Sequence, residues 1–395
     1  MKLKIAIVVH GRFHAFDLAR ELINQGHDVT LYTNYPKRIV EKFGISQKCV
    51  MSFLLHGLLS RVIYKVHNAI GTPDFEACIH SNFSRWAAHK IVQRDYDVVH
   101  VFSGVAEEIF QALSHKRVLK TLVRGSAHIR TQFNLLSEEE KRVGTKINKP
   151  SNWMIDREER EYQLADIIIC LSTFAKQSFL EQNVEADKLK VLPLGAQLEK
   201  FRPSEQVIEA RYQRILSGKC LNVLMVSNFS FQKGIYDLVN IACNTNYFIS
   251  LKFIGFITNE AINFKKNISN SIQFISKQAQ FDLPMFYADA DVFIFPTIQD
   301  GYAMVLAQAQ ASGLPILTTT NCSSLDIIVE GQTGWVLPIR SPERFIERLK
   351  WCHEHRQELA QMVRSIYDGF KPRDWTEVAA DFASIHTNLL GHSRK

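Results

Sequence analysis

The chain opens on a strand, a loop, a helix and a second strand within its first 32 residues, and the same order restarts after residue 220. Residues 4–9 (Lys-Ile-Ala-Ile-Val-Val) form an apolar run of strand length, followed by the loop His10-Gly11-Arg12-Phe13-His14. Residues 17–24 then place Leu18, Leu22 and Ile23 on one helical face, and after the Gly26-His27 break residues 29–32 read as β again. A strand without polar alternation is buried on both faces, which belongs to a parallel sheet covered by its own crossover helices. Further short β runs at 98–102, 118–123 and 167–171 extend that sheet.

From 193 to 216 the character changes, with Gly195, Pro203 and several charges, and this stretch reads as an interdomain linker centred on 201–205. The pattern resumes with β runs at 221–226, 249–254, 272–275, 292–295 and 316–319 and a helix at 235–243. The expected fold is α/β: two Rossmann-like, doubly wound parallel-sheet domains facing across a cleft, residues 1–200 and 201–374. A 395-residue chain that is 46% hydrophobic suits two cores better than one. Ligands of such sheets bind beyond the carboxyl ends of the strands.

Seven cysteines, at 49, 78, 170, 220, 243, 322 and 352, show no C-x-x-C pair, so neither a zinc site nor a disulfide framework is expected. The opening apolar run reads as a core strand rather than a signal peptide, and a cytoplasmic protein is expected. The net charge of +7 is dispersed, with no nucleic-acid-binding module. Residues 53–70 differ: Leu55, Leu58, Leu59, Val62, Ile63 and Val66 share a helical stripe beside Arg61 and Lys65. That pattern fits a helix lying on an anionic membrane at the inner face of the plasma membrane, and equally an ordinary helix packed on the first domain.

Three segments could carry chemistry. In Ser227-Asn228-Phe229-Ser230-Phe231-Gln232-Lys233-Gly234 a cation precedes a glycine and a helix start, where free amides favour an anion; a surface lysine at a turn would look the same. In Phe295-Pro296-Thr297-Ile298-Gln299-Asp300-Gly301-Tyr302-Ala303 a buried strand ends in a loop that leads into a helix. There Asp300 can accept from sugar hydroxyls, the amides of Ala303 and Met304 can face an anion, and Gln308 lies about two turns on, able to bind a ribose diol. The bland alternative makes Asp300 a helix cap and Gln308 a solvent-facing side chain. In the first domain Gly11 and Arg12, Ser103 and Gly104, and Arg124-Gly125-Ser126-Ala127-His128 end successive strands and form the opposite wall. The chain has no G-x-G-x-x-G after its first strand and no P-loop, H-E-x-x-H or G-x-S-x-G, which disfavours nicotinamide, P-loop ATPase, zincin and serine hydrolase chemistry.

These motifs resemble the retaining GT-B glycosyltransferases of family 4 (glycosyl transferases group 1). Residues 289–337 look like the family's donor-binding core, and Asp97-Val98-Val99-His100, Leu192-Pro193-Leu194-Gly195 and Gln232-Lys233-Gly234 match in order and separation. The resemblance implies that Lys233 binds the donor diphosphate, that Asp300 touches the transferred sugar and that Gln308 holds the ribose. Ser227, Asn228, Gly301, Tyr302 and the amides of Ala303, Met304 and Val305 line the same donor site, and Phe256, Ser276, Lys277 and Leu283 surround the base. Arg124 and His128 are the first-domain catalytic candidates. Where the family has an arginine and a glutamate this chain has Asn228 and Gln308, which suggests an altered donor preference.

The resemblance further implies a metal-independent transferase with no resident cofactor, taking a nucleotide diphosphate sugar, a uridine diphosphate sugar first of all. It implies a glycan or lipid-linked acceptor in lipopolysaccharide, capsule or exopolysaccharide synthesis, and a last helix, 375–390, crossing back to the first domain. A GT-B epimerase or phosphorylase, or a non-catalytic sugar-nucleotide-binding module, are the alternatives.

Overall fold

The computed structural model describes residues 2–70, 75–266, 268 and 271–392, the side chains of 64–70 and 392 excepted. Two parallel sheets organise it. The first has seven strands: β1 (Lys4–Val9), β2 (Asp28–Thr33), β3 (Val50–Ser52), β4 (Val98–Phe102), β5 (Leu119–Arg124), β6 (Ile167–Cys170) and β7 (Leu189–Val191), ordered β3-β2-β1-β4-β5-β6-β7. The second has six: β8 (Leu221–Val226), β9 (Ile249–Gly255), β10 (Ile272–Ser276), β11 (Val292–Phe295), β12 (Ile316–Thr319) and β13 (Gly334–Leu337), ordered β10-β9-β8-β11-β12-β13.

The β1 side chains show why the run has no polar alternation. Ile5, Ile7 and Val9 pack under Phe16, Leu22, Val378 and Phe382, while Ala6 and Val8 pack under Phe83, Ala87 and Phe110 on the other face. Both faces are therefore covered, as parallel sheets require. Val378 and Phe382 belong to the helix Trp375–His392, which lies on the first sheet beside the helix Ala15–Asn24. Its His386 is buried and pairs with Thr121 Oγ1 of β5 at 3.0 Å.

Strand order reverses between β1 and β4 in one sheet and between β8 and β11 in the other. At such a switch point neighbouring crossovers leave in opposite directions and open a crevice at the carboxyl edge. The loops that carry Gly11 and Gly104 flank the first crevice, and those that carry Lys233 and Asp300 flank the second.

The stretch read as a linker is linker only in its first half. Residues Glu205–Leu216 form a helix packed on the helix Arg356–Gly369, with Ile208, Arg211 and Ile215 buried. A fully buried arginine interrupts the apolar stripe and masks its helical periodicity. Its two terminal nitrogens donate to three carbonyls, of Ser312, Tyr287 and Ala288, at 2.6–3.1 Å, while its buried Nε has no partner.

The helix Ile129–Val143 and the turn after it dock on the second domain, where Leu136 and Ile147 join the second core. Arg142 pairs with buried Asp237, and Arg340 reaches back to Glu138, Glu139 and the Leu135 carbonyl, each at 2.8 Å.

The helix Leu54–Ile70 buries His56 and Ser60 and exposes Leu54, Leu55, Leu58, Leu59 and Val62. Lys65 and Val66 of the expected stripe lie outside the described side chains. Among the described residues no helix is long and apolar enough to cross a membrane.

Candidate active site

The site is built where the loops after β8 and β11 meet. Gly234 has φ +73°, and a β-carbon on it would stand 1.7 Å from the Pro296 carbonyl oxygen. The two loops can touch only because residue 234 has no side chain and tolerates the left-handed region. Ile298 N–H and Thr297 Oγ1 both donate to the Gln232 carbonyl and lock the contact, at 2.9 and 3.1 Å. The consequence is an ion pair between Lys233 Nζ and Asp300 Oδ2 at 2.6 Å, both side chains mostly buried. The ammonium also sits 5.7 Å from the centre of the Phe295 ring.

This pair faces a cavity of about 350 Å³ lined in part by Ser227, Asn228, Lys233, Asp300 and Tyr302 and by the helix start Ala303, Met304 and Val305. Phe256, Lys277 and Leu283 close the far end, where Phe256 presents a half-exposed ring. Eleven of the sequence candidates thus share one cavity, and Gly301 joins Asp300 to Tyr302 without lining it. Ser276 ends β10 beside Lys277 and is likewise not part of the wall.

Gln308 is placed differently from the expectation of a ribose-binding side chain in this pocket. It is buried, its Oε1 accepts from Tyr287 O–H at 3.0 Å, and it opens onto an adjoining cavity of about 610 Å³ between the domains. Met304 lines both spaces. The helix-start amides also differ from expectation: Ala303 N–H donates to Ser323 Oγ at 3.2 Å and Met304 N–H to the Tyr302 carbonyl at 3.0 Å. An anion there must compete with contacts inside the protein.

The first-domain candidates do not reach the cavity. Arg124 is held within its own domain, 2.7 Å from Glu158 and donating to Gln132 Oε1 at 2.7 Å. Burial opposes its charge, but Glu158 and Tyr162 more than compensate, so the guanidinium stays protonated. His128 is the N-cap of the helix Ile129–Val143: its Nδ1 accepts from Arg130 N–H at 3.2 Å, and its ring lies against Tyr162 and Phe179. Burial pushes its pKa down to about 4, and a neutral cap fixed in a backbone hydrogen bond is poorly placed for proton transfer.

What Arg124 and His128 fix is the loop between them. A β-carbon on Gly301 would stand 2.3 Å from the Gly125 carbonyl oxygen, and Ser126 Oγ donates to Gln299 Oε1 at 2.8 Å. The loop after β5 therefore presses directly on the loop that carries Asp300. Gly11 ends β1 at φ +112°, with its N–H on Asn34 Oδ1 and its carbonyl accepting from Thr33 Oγ1; Arg12 and Phe13 beside it line the larger cavity.

Glu161 is a residue that sequence reading missed. Its buried carboxylate accepts from the Gly104 and Ala106 amides, each at 2.7 Å, and so shapes the loop after β4. A glutamate in a charged helical stretch, Arg157-Glu158-Glu159-Arg160-Glu161, gives no signal that it is the buried one. Among the described residues no group of three or more His, Cys, Asp or Glu side chains could hold a metal ion.

Two family profiles cover most of the chain: Glycosyltransferase Family 4 matches residues 12–200, and Glycosyl transferases group 1 matches residues 210–368. The capsular polysaccharide biosynthesis glycosyltransferase CapM of Staphylococcus aureus is 26% identical over 181 residues, 43% of this chain and 47% of CapM. The chain thus spans about half the length of the curated relatives it matches. Among solved structures, HepE of Anabaena in complex with UDP aligns at a TM-score of 0.69 and 15% identity over 98% of this chain and 100% of that one. Sucrose-phosphate synthase of Thermosynechococcus elongatus aligns at 0.69 and 16% over 99% and 100%. Two parallel Rossmann-like sheets, a donor-type cavity at the second switch point and both family profiles in register lead to one conclusion: this chain belongs to the group 1, family 4 glycosyltransferases and has their GT-B fold.

Proposed function

We propose that the chain transfers a sugar from a nucleoside diphosphate sugar, uridine diphosphate in the first place, to a glycan or lipid-linked acceptor during cell-surface polysaccharide assembly. The observation that carries this reading is the Lys233–Asp300 pair at the switch point, facing a cavity that ends in Phe256, Lys277 and Leu283. Lys233 meets the diphosphate and stabilises the departing nucleotide. Asp300, released from Lys233 as phosphate replaces it, accepts from the hydroxyls of the transferred sugar. The base lies along Phe256 with Lys277 and Leu283 around it. Gln308 reaches the donor from the neighbouring cavity through its amide hydrogens. Arg124 and His128 act as positioning residues for the Gly125-Ser126 loop against Gly301.

The HepE structure in complex with UDP supports uridine as the base, and the capsular role named for CapM supports a surface polysaccharide. Retention of anomeric configuration follows the resemblance: the acceptor hydroxyl attacks from the side of the leaving diphosphate, whose oxygen takes the proton. Such a reaction relies on positioning and fixed charge rather than on a side-chain base. We place the work at the cytoplasmic face of a membrane, where the exposed leucines of the helix Leu54–Ile70 and Arg61 contact anionic lipid.

The test incubates the chain with uridine, guanosine, adenosine and thymidine diphosphate sugars and a mixed panel of saccharide acceptors, and follows nucleotide release. One donor consumed only with acceptor, with product retaining its anomeric configuration by NMR, supports the reading. Conversion of donor without acceptor favours an epimerase, and donor binding without release favours a non-catalytic module.

A further inference from the structure

The larger of the two adjoining cavities is not the donor pocket but the neighbouring space of about 610 Å³ into which Met304 and Gln308 open. Its wall carries four cations, Arg12, Arg20, Lys42 and Lys200, against one carboxylate, Asp17. Arg20 is spoken for, at 2.9 Å from Asp17 and 2.7 Å from Glu21. The other three are not matched in this way. Arg12 stands 4.0 Å from Asp17, the limit of an ion pair, and lies over the Phe43 ring with its central carbon 4.1 Å from the ring centre. Lys42 and Lys200 are exposed and have no ion-pair partner among the described residues. Three cations from three separate segments, the loop after β1, the residues before Gly44 and the turn Glu199–Phe201, converge on one opening.

A second observation is conformational. Phe13 sits in the same wall at φ +42°, a left-handed backbone for a bulky residue, and leaves 69% of its surface exposed. Such a conformation is strained and persists where the surroundings impose it, which directs attention to function. Here the Phe13 ring is held in a stack on Phe102 at 5.9 Å. Across the cavity Phe281 of the second domain is 75% exposed. Two exposed rings beside cations that lack a close carboxylate offer a face for a sugar and charge for an anion.

We propose that this cavity is the acceptor site and that it selects acceptors bearing a phosphate group. Arg12, Lys42 and Lys200 hold the phosphate, while Phe13 and Phe281 stack on the sugar and direct its hydroxyl past Met304 toward the donor. The assignment of the cavity to an acceptor rests on the transferase reading above; the preference for phosphate rests on the charges alone. Three cations spread around one opening suit a doubly charged group with several oxygens better than a single carboxylate. The phosphate comes either from a soluble sugar phosphate or from the head of a lipid-borne saccharide. A packed line of rings, from Arg12 over Phe43 to Phe16, Tyr35 and Arg61, joins this opening to the helix with the exposed leucines.

Calorimetry on the full chain saturated with UDP tests it with three probes: glucose 1-phosphate, decyl phosphate-linked glucose and decyl glucoside. We expect the decyl phosphate-linked sugar to bind at least tenfold tighter than decyl glucoside, and the R12Q/K42Q/K200Q variant to lose that preference while still binding UDP. Equal binding of glucose 1-phosphate supports a soluble source, and its failure beside tight decyl phosphate binding supports a lipid source. Equal affinity for decyl glucoside, no binding of either phosphate probe, or a variant that discriminates as before overturns the proposal. Native chain that binds the phosphate probes but no nucleotide would sink the transferase reading and leave the anion site standing.

Discussion

Lys233 Nζ lies 2.6 Å from Asp300 Oδ2, joining the loops after two adjacent strands of the second sheet across the mouth of the donor cavity. Without donor, each charge neutralises the other. On the proposed function, a diphosphate takes the ammonium from the carboxylate, and the freed carboxylate then faces the sugar.

The roles separate in Asp300→Asn. Losing the carboxylate frees Lys233, so UDP should bind as tightly as to the native chain or up to about tenfold tighter, while sugar transfer falls at least 100-fold, a loss of about 2.7 kcal/mol in transition-state stabilisation. Calorimetry and initial rates on the same preparation check this. Equal losses in both would assign Asp300 to loop structure alone.

Gly234→Ala tests the contact that creates the pair. The new β-carbon meets the Pro296 carbonyl oxygen at 1.7 Å and the backbone is left-handed, so one loop must move. Destabilisation of at least about 2 kcal/mol and loss of UDP binding are expected, read by urea denaturation and calorimetry. Native-like stability would mean that the loops separate at little cost.

The domains are tied by charge at a distance from the site. Glu139 is fully buried and faces Arg142 and Arg340, and burial pushes its pKa up against both cations. Arg340→Met leaves this carboxylate with one partner. We expect a stability loss of about 2–4 kcal/mol and a several-fold rise in donor KM at little changed kcat, since closure over the donor becomes harder. An unchanged KM would separate this network from closure.

Much of this was legible in the sequence, and the residues that were not share a reason. Strands buried on both faces, such as β1 and β11, announce themselves as apolar runs, and glycines after them mark loops that must approach something. The three-residue edge strands β3 and β7 carry too little pattern to be seen. Buried charges are the other blind spot. Arg211, Glu139 and Glu161 read as solvent-facing because only a tertiary partner makes their burial tolerable. The same limit misplaced Arg124 and His128: the words place them at the end of β5, but Glu158 and the cap on Arg130 turn their side chains away from the cleft.

Buried histidines, His128 and His386 among them, make stability depend on pH. Burial lowers the pKa of His128 and of His386 to about 4, against the usual 6.5 of an exposed imidazole. The unfolded chain therefore binds more protons between those values, and stability falls as pH drops from 6.5 toward 4. Each histidine costs about 1.4 kcal/mol per pH unit in that window. His128→Asn should shallow the slope of stability against pH between 6.5 and 5 in urea titrations. An unchanged slope would mean that His128 is already protonated in the folded chain.

The most direct measurement is calorimetric titration of the native chain and of Lys233→Ala with UDP-sugars, with and without Mg²⁺. The account predicts binding that persists without metal and weakens at least 100-fold in the variant, about 2.7 kcal/mol. Binding that is indifferent to Lys233, or that appears only with Mg²⁺, would contradict it.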